Sequence, residues 1–97
     1  MHAVVARVTI NDFETAKKLL QEEVVPRASA APGFVAGYWT RSDDGTNGLS
    51  MILMDSEESA RAAVEMIRAD AEANPREDVT FDAIEVREVV AQASSGS

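Results

Sequence analysis

The chain of 97 residues contains no cysteine. Disulfides, thiolate nucleophiles, cysteine zinc sites and iron–sulfur clusters are therefore excluded. It contains one histidine, His2. A His-x-x-x-His metal pair and a Ser–His–Asp triad with a well-placed imidazole have no basis. No metal and no cofactor is expected. Basic residues are also short, 9 against 17 acidic, for a net charge of −8. The deficit lies in the second half: residues 1–53 carry −1 and residues 54–97 carry −7. Such a chain is repelled by phosphate backbones and offers no Lys/Arg stripe, so nucleic-acid partners are not expected. Docking on an anionic membrane is disfavoured for the same reason, and the acidity reads as solubility. No apolar run approaches the roughly 18–20 residues that span a bilayer. The apolar start AVVARVTI has no basic flank and no small-residue cleavage site, so no leader and a cytoplasmic location are expected.

What is present is the balance of a globular protein, 45% apolar and 27% charged. Residues 1–91 are expected to form a single domain, with a frayed, disordered tail over residues 92–97. Val4, Val5, Val8, Thr9 and Ile10 are β-branched and predict a strand over residues 3–10. Asn11 with Glu14 has capping-box spacing. Phe13, Ala16, Leu19, Leu20, Val24 and Ala28 then recur at helical steps. Pro26 should kink or end that helix. A second strand over 34–41 (FVAGYWTR), the turn cluster SDDGTNG and a third strand over 49–54 (LSMILM) predict an antiparallel hairpin. Asp55 or Ser56 caps a second helix bearing Ala60, Ala63, Val64, Ile67 and Ala71 on one face, and Asn74-Pro75 stops it. A last strand covers 79–90.

The order β-α-β-β-α-β predicts an α+β, ferredoxin-like fold: a four-stranded antiparallel sheet with two helices on one face. The strands do not alternate cleanly between apolar and polar residues. Leu49, Met51 and Leu53 fall on one face of the third strand, Ile52 and Met54 on the other. Helices cover only one face, so a second copy of the sheet, packed by a twofold axis, is expected on the other.

The element order, the first strand and the segment APGFVAGYW resemble the dimeric α+β barrel superfamily, and most nearly its antibiotic-biosynthesis-monooxygenase-like members. Pro32, Gly33, Gly37, Tyr38 and Trp39 carry the resemblance, which covers roughly residues 2–90. It implies a barrel closed across a homodimer, with a pocket in each protomer between helices and sheet. The haem-degrading branch places a histidine on the second helix. This helix, ESARAAVEMIRADAEA, has none, and Met66 at helical spacing reads as core filler. The quinol-type monooxygenases need no metal or flavin, because an electron-rich phenol itself reduces oxygen. They use Trp, Tyr, Asn and Arg side chains, and Arg7, Tyr38, Trp39 and Arg41 are of the right types.

Each candidate has a plain structural role beside the functional one. Trp39 shares a face with Val35, Gly37 and Arg41, and is suited either to a dimer interface or to a pocket. Tyr38 points the other way, with Phe34 and Ala36, and its hydroxyl needs a partner if buried. Arg7, in an apolar strand, wants a carboxylate such as Glu85 or Glu88, or an anionic substrate. His2 is a rim histidine or a lone base. Asp43-Asp44-Gly45 lacks the acidic residue that would complete a calcium loop and reads as a turn. Gly33-x-x-x-Gly37 has no following Lys-Ser/Thr and is no phosphate loop.

Three functions remain open from sequence: a cofactor-independent monooxygenase-like enzyme acting on an aromatic or polyketide-like molecule; a non-catalytic module binding a small apolar or aromatic ligand; and a structural dimerisation module. In the last, Met51, Leu53, Met54 and Phe81 would fill the barrel. Any pocket should lie between sheet and helices or at the barrel mouth, with apolar walls and polar groups from Arg7, Tyr38, Trp39 or His2.

Overall fold

A computed structural model describes residues 1–95. Strand β1 (His2–Ile10) leads into a helical run made of α1 (Phe13–Leu19), a π turn (Leu20–Val24) and α2 (Val25–Ser29). Strands β2 (Phe34–Arg41) and β3 (Asn47–Met54) form a hairpin, followed by α3 (Glu57–Ala73) and β4 (Val79–Glu88). The sheet has the order β2-β3-β1-β4, with every neighbouring pair antiparallel. This is the ferredoxin-like arrangement expected from the element order, with the helices on one face. Residues 92–95 lie outside any helix or strand and are exposed. Residues 96 and 97 of the expected tail lie outside the described residues.

Local signals shift by small steps. The first helix is capped by Asp12, not Asn11: its carboxylate accepts from the Thr15 amide at 3.2 Å and the Thr15 hydroxyl at 2.8 Å. Asn11 instead ties β1 to the start of β4, donating through Nδ2 to the Glu77 carbonyl and the Thr80 hydroxyl. Pro26 neither ends nor sharply breaks the helix. It sits in the first turn of α2, directly after the π turn. A proline ring clashes with the carbonyl four residues back. Widening the preceding turn removes that clash while the chain stays helical. Helix α3 is capped by Ser56, whose hydroxyl accepts from the Ser59 amide at 3.1 Å, and it ends at Asn74.

The β2–β3 turn is held by Asp44. Its carboxylate accepts from the Ser42 hydroxyl at 2.7 Å and from the Thr46 amide and hydroxyl at 3.0 and 2.8 Å. The Ser42 hydroxyl first, then the two Thr46 groups, pull its pKa down to about 2.

Two irregularities decide which side chains face the helices. Between Phe34 and Ala36 the β2–β3 register slips, leaving Val35 without a partner. Phe34 therefore joins Gly37, Trp39 and Arg41 on the helix side, while Ala36, Tyr38 and Thr40 face away. Strict alternation would have put Phe34 with Tyr38. A second slip, between Arg7 and Val8, leaves Asp82 as the extra residue in β4, where it accepts from the Thr9 hydroxyl at 2.8 Å. The core gathers Val4, Ile52, Met54, Ala60 and Val64, with Phe34, Trp39, Ile67, Ile84 and Val86 packed around them. The opposite sheet face carries Val5, Leu49 and Met51, with Tyr38 60% exposed.

Among the described residues, no helix is long and apolar enough to cross a membrane.

Candidate functional site

The helices pack on the sheet unevenly. Helix α3 packs closely on β1, β3 and β4, and α2 touches β2, but α1 and the π turn stand farther off. The space beneath them is a cavity of about 520 Å³. Its floor is the helix-side face of the sheet, including Val8, Ile52 and Phe81. Its roof is Phe13, Ala16 and the π-turn residues Leu20 and Val24, and its far wall is Ala63, Met66 and Ile67 of α3. The π turn thus shapes the site directly, which a continuous α-helix reading of the sequence does not reveal. Met51, Leu53, Met54 and Phe81 were expected together as the filling of a barrel. The alternation splits these four, with Met54 and Phe81 on the cavity side and Met51 and Leu53 on the outer face.

Trp39 lines the cavity and does not face outward. Its ring folds back over Gly37. A Cβ on that glycine would lie 2.6 Å from Trp39 Cη2 and 2.8 Å from Cζ3. The space left by Gly37 is therefore taken by Trp39 itself, and not by a partner's side chain. Gly37→Val should cost about 1–3 kcal/mol through overpacking and push the indole into the cavity. A thermal melt unchanged from wild type, together with an unshifted Trp39 emission maximum, would contradict that packing.

The other sequence candidates lie elsewhere. Arg7 and Tyr38 sit on the outer face and do not border the cavity. Arg7 has no carboxylate within 4 Å among the described residues. The expected partner Glu85 is taken by Arg87, two positions along the same strand, at 2.7 Å. His2, at the start of β1 between Met54 and Glu88, is partly buried. Its Nδ1 is buried with no hydrogen-bond partner. The cavity uses only the later part of that strand, Ala6, Val8 and Ile10, so His2 does not line it.

Other polar groups occupy the places assigned to these candidates. Lys17, Arg27, Arg41 and Arg76 border the cavity, with Asp70 as the one carboxylate among its lining residues. Arg27 on α2 meets Asp70 on α3 at 3.0 Å and ties the two helices together. Arg76 grips the buried Asp78 with two guanidinium nitrogens, Nε at 3.0 Å and Nη2 in direct contact. The Arg76 hydrogen bonds, reinforced by its charge, hold the Asp78 carboxyl below the usual carboxylate range against the opposing effect of burial. The Arg41 guanidinium lies 3.8 Å from the centre of the Phe13 ring. Of these, the sequence reading picked out only Arg41. The others come from separate elements, and no spacing rule links them.

The backbone compares closely with solved structures. One is a dimeric ferredoxin-like protein from an uncultured marine organism, with TM-score 0.70 and 16% identity over 96% of this chain and 97% of that one. A second is SnoaB from Streptomyces nogalater, described as a cofactor-independent oxygenase, with TM-score 0.69 and 16% identity over 99% and 97%. The chain shares their ferredoxin-like fold. A third is the haem-degrader MhuD from Mycobacterium tuberculosis, solved with two haems in its active site, with TM-score 0.58 and 23% identity over 94% and 99%. No protein-family model matches the sequence, and no curated protein matches it.

The donors in this cavity do not fit haem. Haem iron is held by imidazole, thiolate or phenolate, or by a thioether paired with imidazole. The lining of this cavity holds no histidine, cysteine or tyrosine. Helix α3 presents the Met66 thioether alone, beside Ala63, Ile67 and Asp70. No cluster of three or more His, Cys, Asp or Glu side chains able to hold a metal ion occurs among the described residues.

Proposed function

We propose that the chain is a homodimeric, cofactor-independent monooxygenase-like enzyme that binds an aromatic or polyketide-like small molecule in the cavity between α1 and the sheet. The observation that carries this reading is the cavity itself: about 520 Å³ of apolar space, with Trp39 on its wall and basic groups at its border. Apolar walls with a few placed polar groups are the general make-up of a small-molecule site. The likeness in fold to SnoaB supports an oxygenase over other chemistries.

The chemistry asks little of the protein. An electron-rich phenol, once ionised, gives electrons to oxygen directly. In an anthrone-like substrate a ring CH₂ and O₂ become a ring C=O and water, so no outside reductant is consumed. The protein's part is to hold the aromatic plane, exclude water and favour the phenolate over the phenol. Apolar walls supply the first two. The excess of basic over acidic groups along the cavity border supplies the third by lowering the phenol pKa. Proton removal at the start falls to solvent or substrate, since Asp70, the only carboxylate in the lining among the described residues, is tied to Arg27.

Oxygen uptake with a panel of quinols, naphthols and anthrones is the test. Consumption that saturates with substrate and stops in a Trp39→Ala variant is expected. Binding of the same compounds by calorimetry with no oxygen uptake would favour the non-catalytic binding module, a reading supported by the scarcity of acid–base groups in the lining.

The homodimer rests on the outer sheet face. Val5, Met51 and Tyr38 lie side by side there as an apolar patch, of the kind that marks an interface. Light scattering should return twice the 10.4 kDa chain mass at micromolar concentration. A monomer mass would remove this part of the reading.

A further inference from the structure

The chain carries −8 overall, yet four of its nine Lys and Arg residues border one cavity, with a single carboxylate among the lining residues. Two of the four are neutralised, Arg27 by Asp70 and Arg76 by Asp78. The other two, Arg41 and Lys17, have no carboxylate within 4 Å among the described residues. They also belong together. Arg41 lies over the Phe13 ring, and Lys17 is one helical turn beyond Phe13 on α1, the spacing that puts two residues on the same helix face. None of the chain's seventeen Asp and Glu side chains forms an ion pair with either cation.

We propose that Arg41 and Lys17 receive a carboxylate of the ligand, so that the cavity takes aromatic molecules bearing a carboxylate arm. This rests on the cavity being a binding site, as proposed above, and narrows its ligand class. A guanidinium offers two parallel N–H donors to a carboxylate, and the ammonium adds a third. The aromatic body enters the apolar space against Trp39, and the carboxylate stays at the border between Arg41 and Lys17. The arm is then remote from the reacting ring carbon. Its binding energy serves to orient the ring and takes no part in the chemistry.

The test uses two probes of equal ring size, 2-naphthoate and neutral 2-naphthamide, titrated by calorimetry into the full chain. The wild type should bind the naphthoate at least about tenfold more tightly, the value of one or two charge-assisted hydrogen bonds. That preference should shrink with added salt. It should fall by more than half in Lys17→Gln, an exposed helix position where folding is not at stake, and vanish in Lys17→Gln/Arg41→Gln, read as the ratio of the two probes' affinities so that any loss common to both probes cancels. Arg41→Lys should retain part of it, which separates charge from loss of the Phe13 contact. Equal affinities in wild type, or a preference that survives the double substitution, would overturn the assignment while leaving the cavity as a binding site. Failure of both probes to bind would remove the binding site as well.

Discussion

Asp78→Ala is expected to lower the unfolding free energy by about 2–4 kcal/mol, toward the lower end of what breaking a buried ion pair costs because Arg76 is one-fifth exposed. Asp78 is the only buried charged side chain among the described residues, at 5% exposure. Its carboxylate holds Arg76 through two donors, and its backbone carbonyl accepts from the amides of Asn11 and Asp12 at 2.8 and 3.0 Å. The residue therefore joins the end of β1, the cap of α1 and the start of β4. Asp78→Asn keeps the shape and loses the charge, and should fall between wild type and alanine. The pH dependence follows from the lowered pKa of Asp78 in the fold. Its contribution is fully present above the ordinary carboxylate value of 3.8 and is lost as pH falls through the depressed folded value. The gap between wild type and Asp78→Asn should thus be widest near neutrality and close in acid below about pH 4. Chemical denaturation at pH 7 and pH 3 measures both, and a gap that stays constant would mean that Asp78 acts through shape alone. Because Arg76 borders the cavity, a real loss should also weaken ligand binding.

The sheet, both helical layers and the hairpin are legible in the sequence because they rest on periodicity and on turn residues, which act over a few positions. Faces are less legible. The slip at Val35 moves Phe34 to the other side of β2, since one extra residue reverses every side chain beyond it. The cap moves from Asn11 to Asp12 because both residue types can cap, and the hydrogen bond to β4 claims Asn11. The candidate site was legible only in part. Trp39 could be singled out as the lone tryptophan on a strand, and Arg41 as its neighbour on the same face. Arg7 and Tyr38 drew notice by being polar or aromatic within an apolar strand, but their parity turns them outward. Lys17, Arg27 and Arg76 lie on α1, on α2 and before β4. They converge only through the crossovers of the topology, and a count of net charge averages them into an acidic chain. One signal was available: Lys17 follows Phe13 by four residues, so a cation shares the apolar face of the first helix.

The second large effect separates two methionines on one strand. Met54→Ala should cost about 2–5 kcal/mol, the range for truncating a buried methionine. Met54 is 1% exposed and packs with Val4, Ile52, Ala60 and Val64. Met51, three residues earlier, is 40% exposed on the outer face, between Val5 of β1 and Tyr38 of β2. Met51→Ser should leave the folding of a single chain within about 1 kcal/mol of wild type, because little of the side chain leaves water on folding alone. Its cost should appear only where two chains meet. Folding coupled to association makes the melting temperature rise with protein concentration. Wild type and Met54→Ala should both show that rise, offset from each other by a constant amount. Met51→Ser should show a weaker rise and converge with wild type at the lowest concentrations. Melts over a hundredfold range of concentration distinguish the cases. A Met51→Ser curve parallel to wild type would mean that the outer face carries no partner, whereas a small loss in Met54→Ala would mean that the cavity beside it lets the neighbouring side chains close the gap.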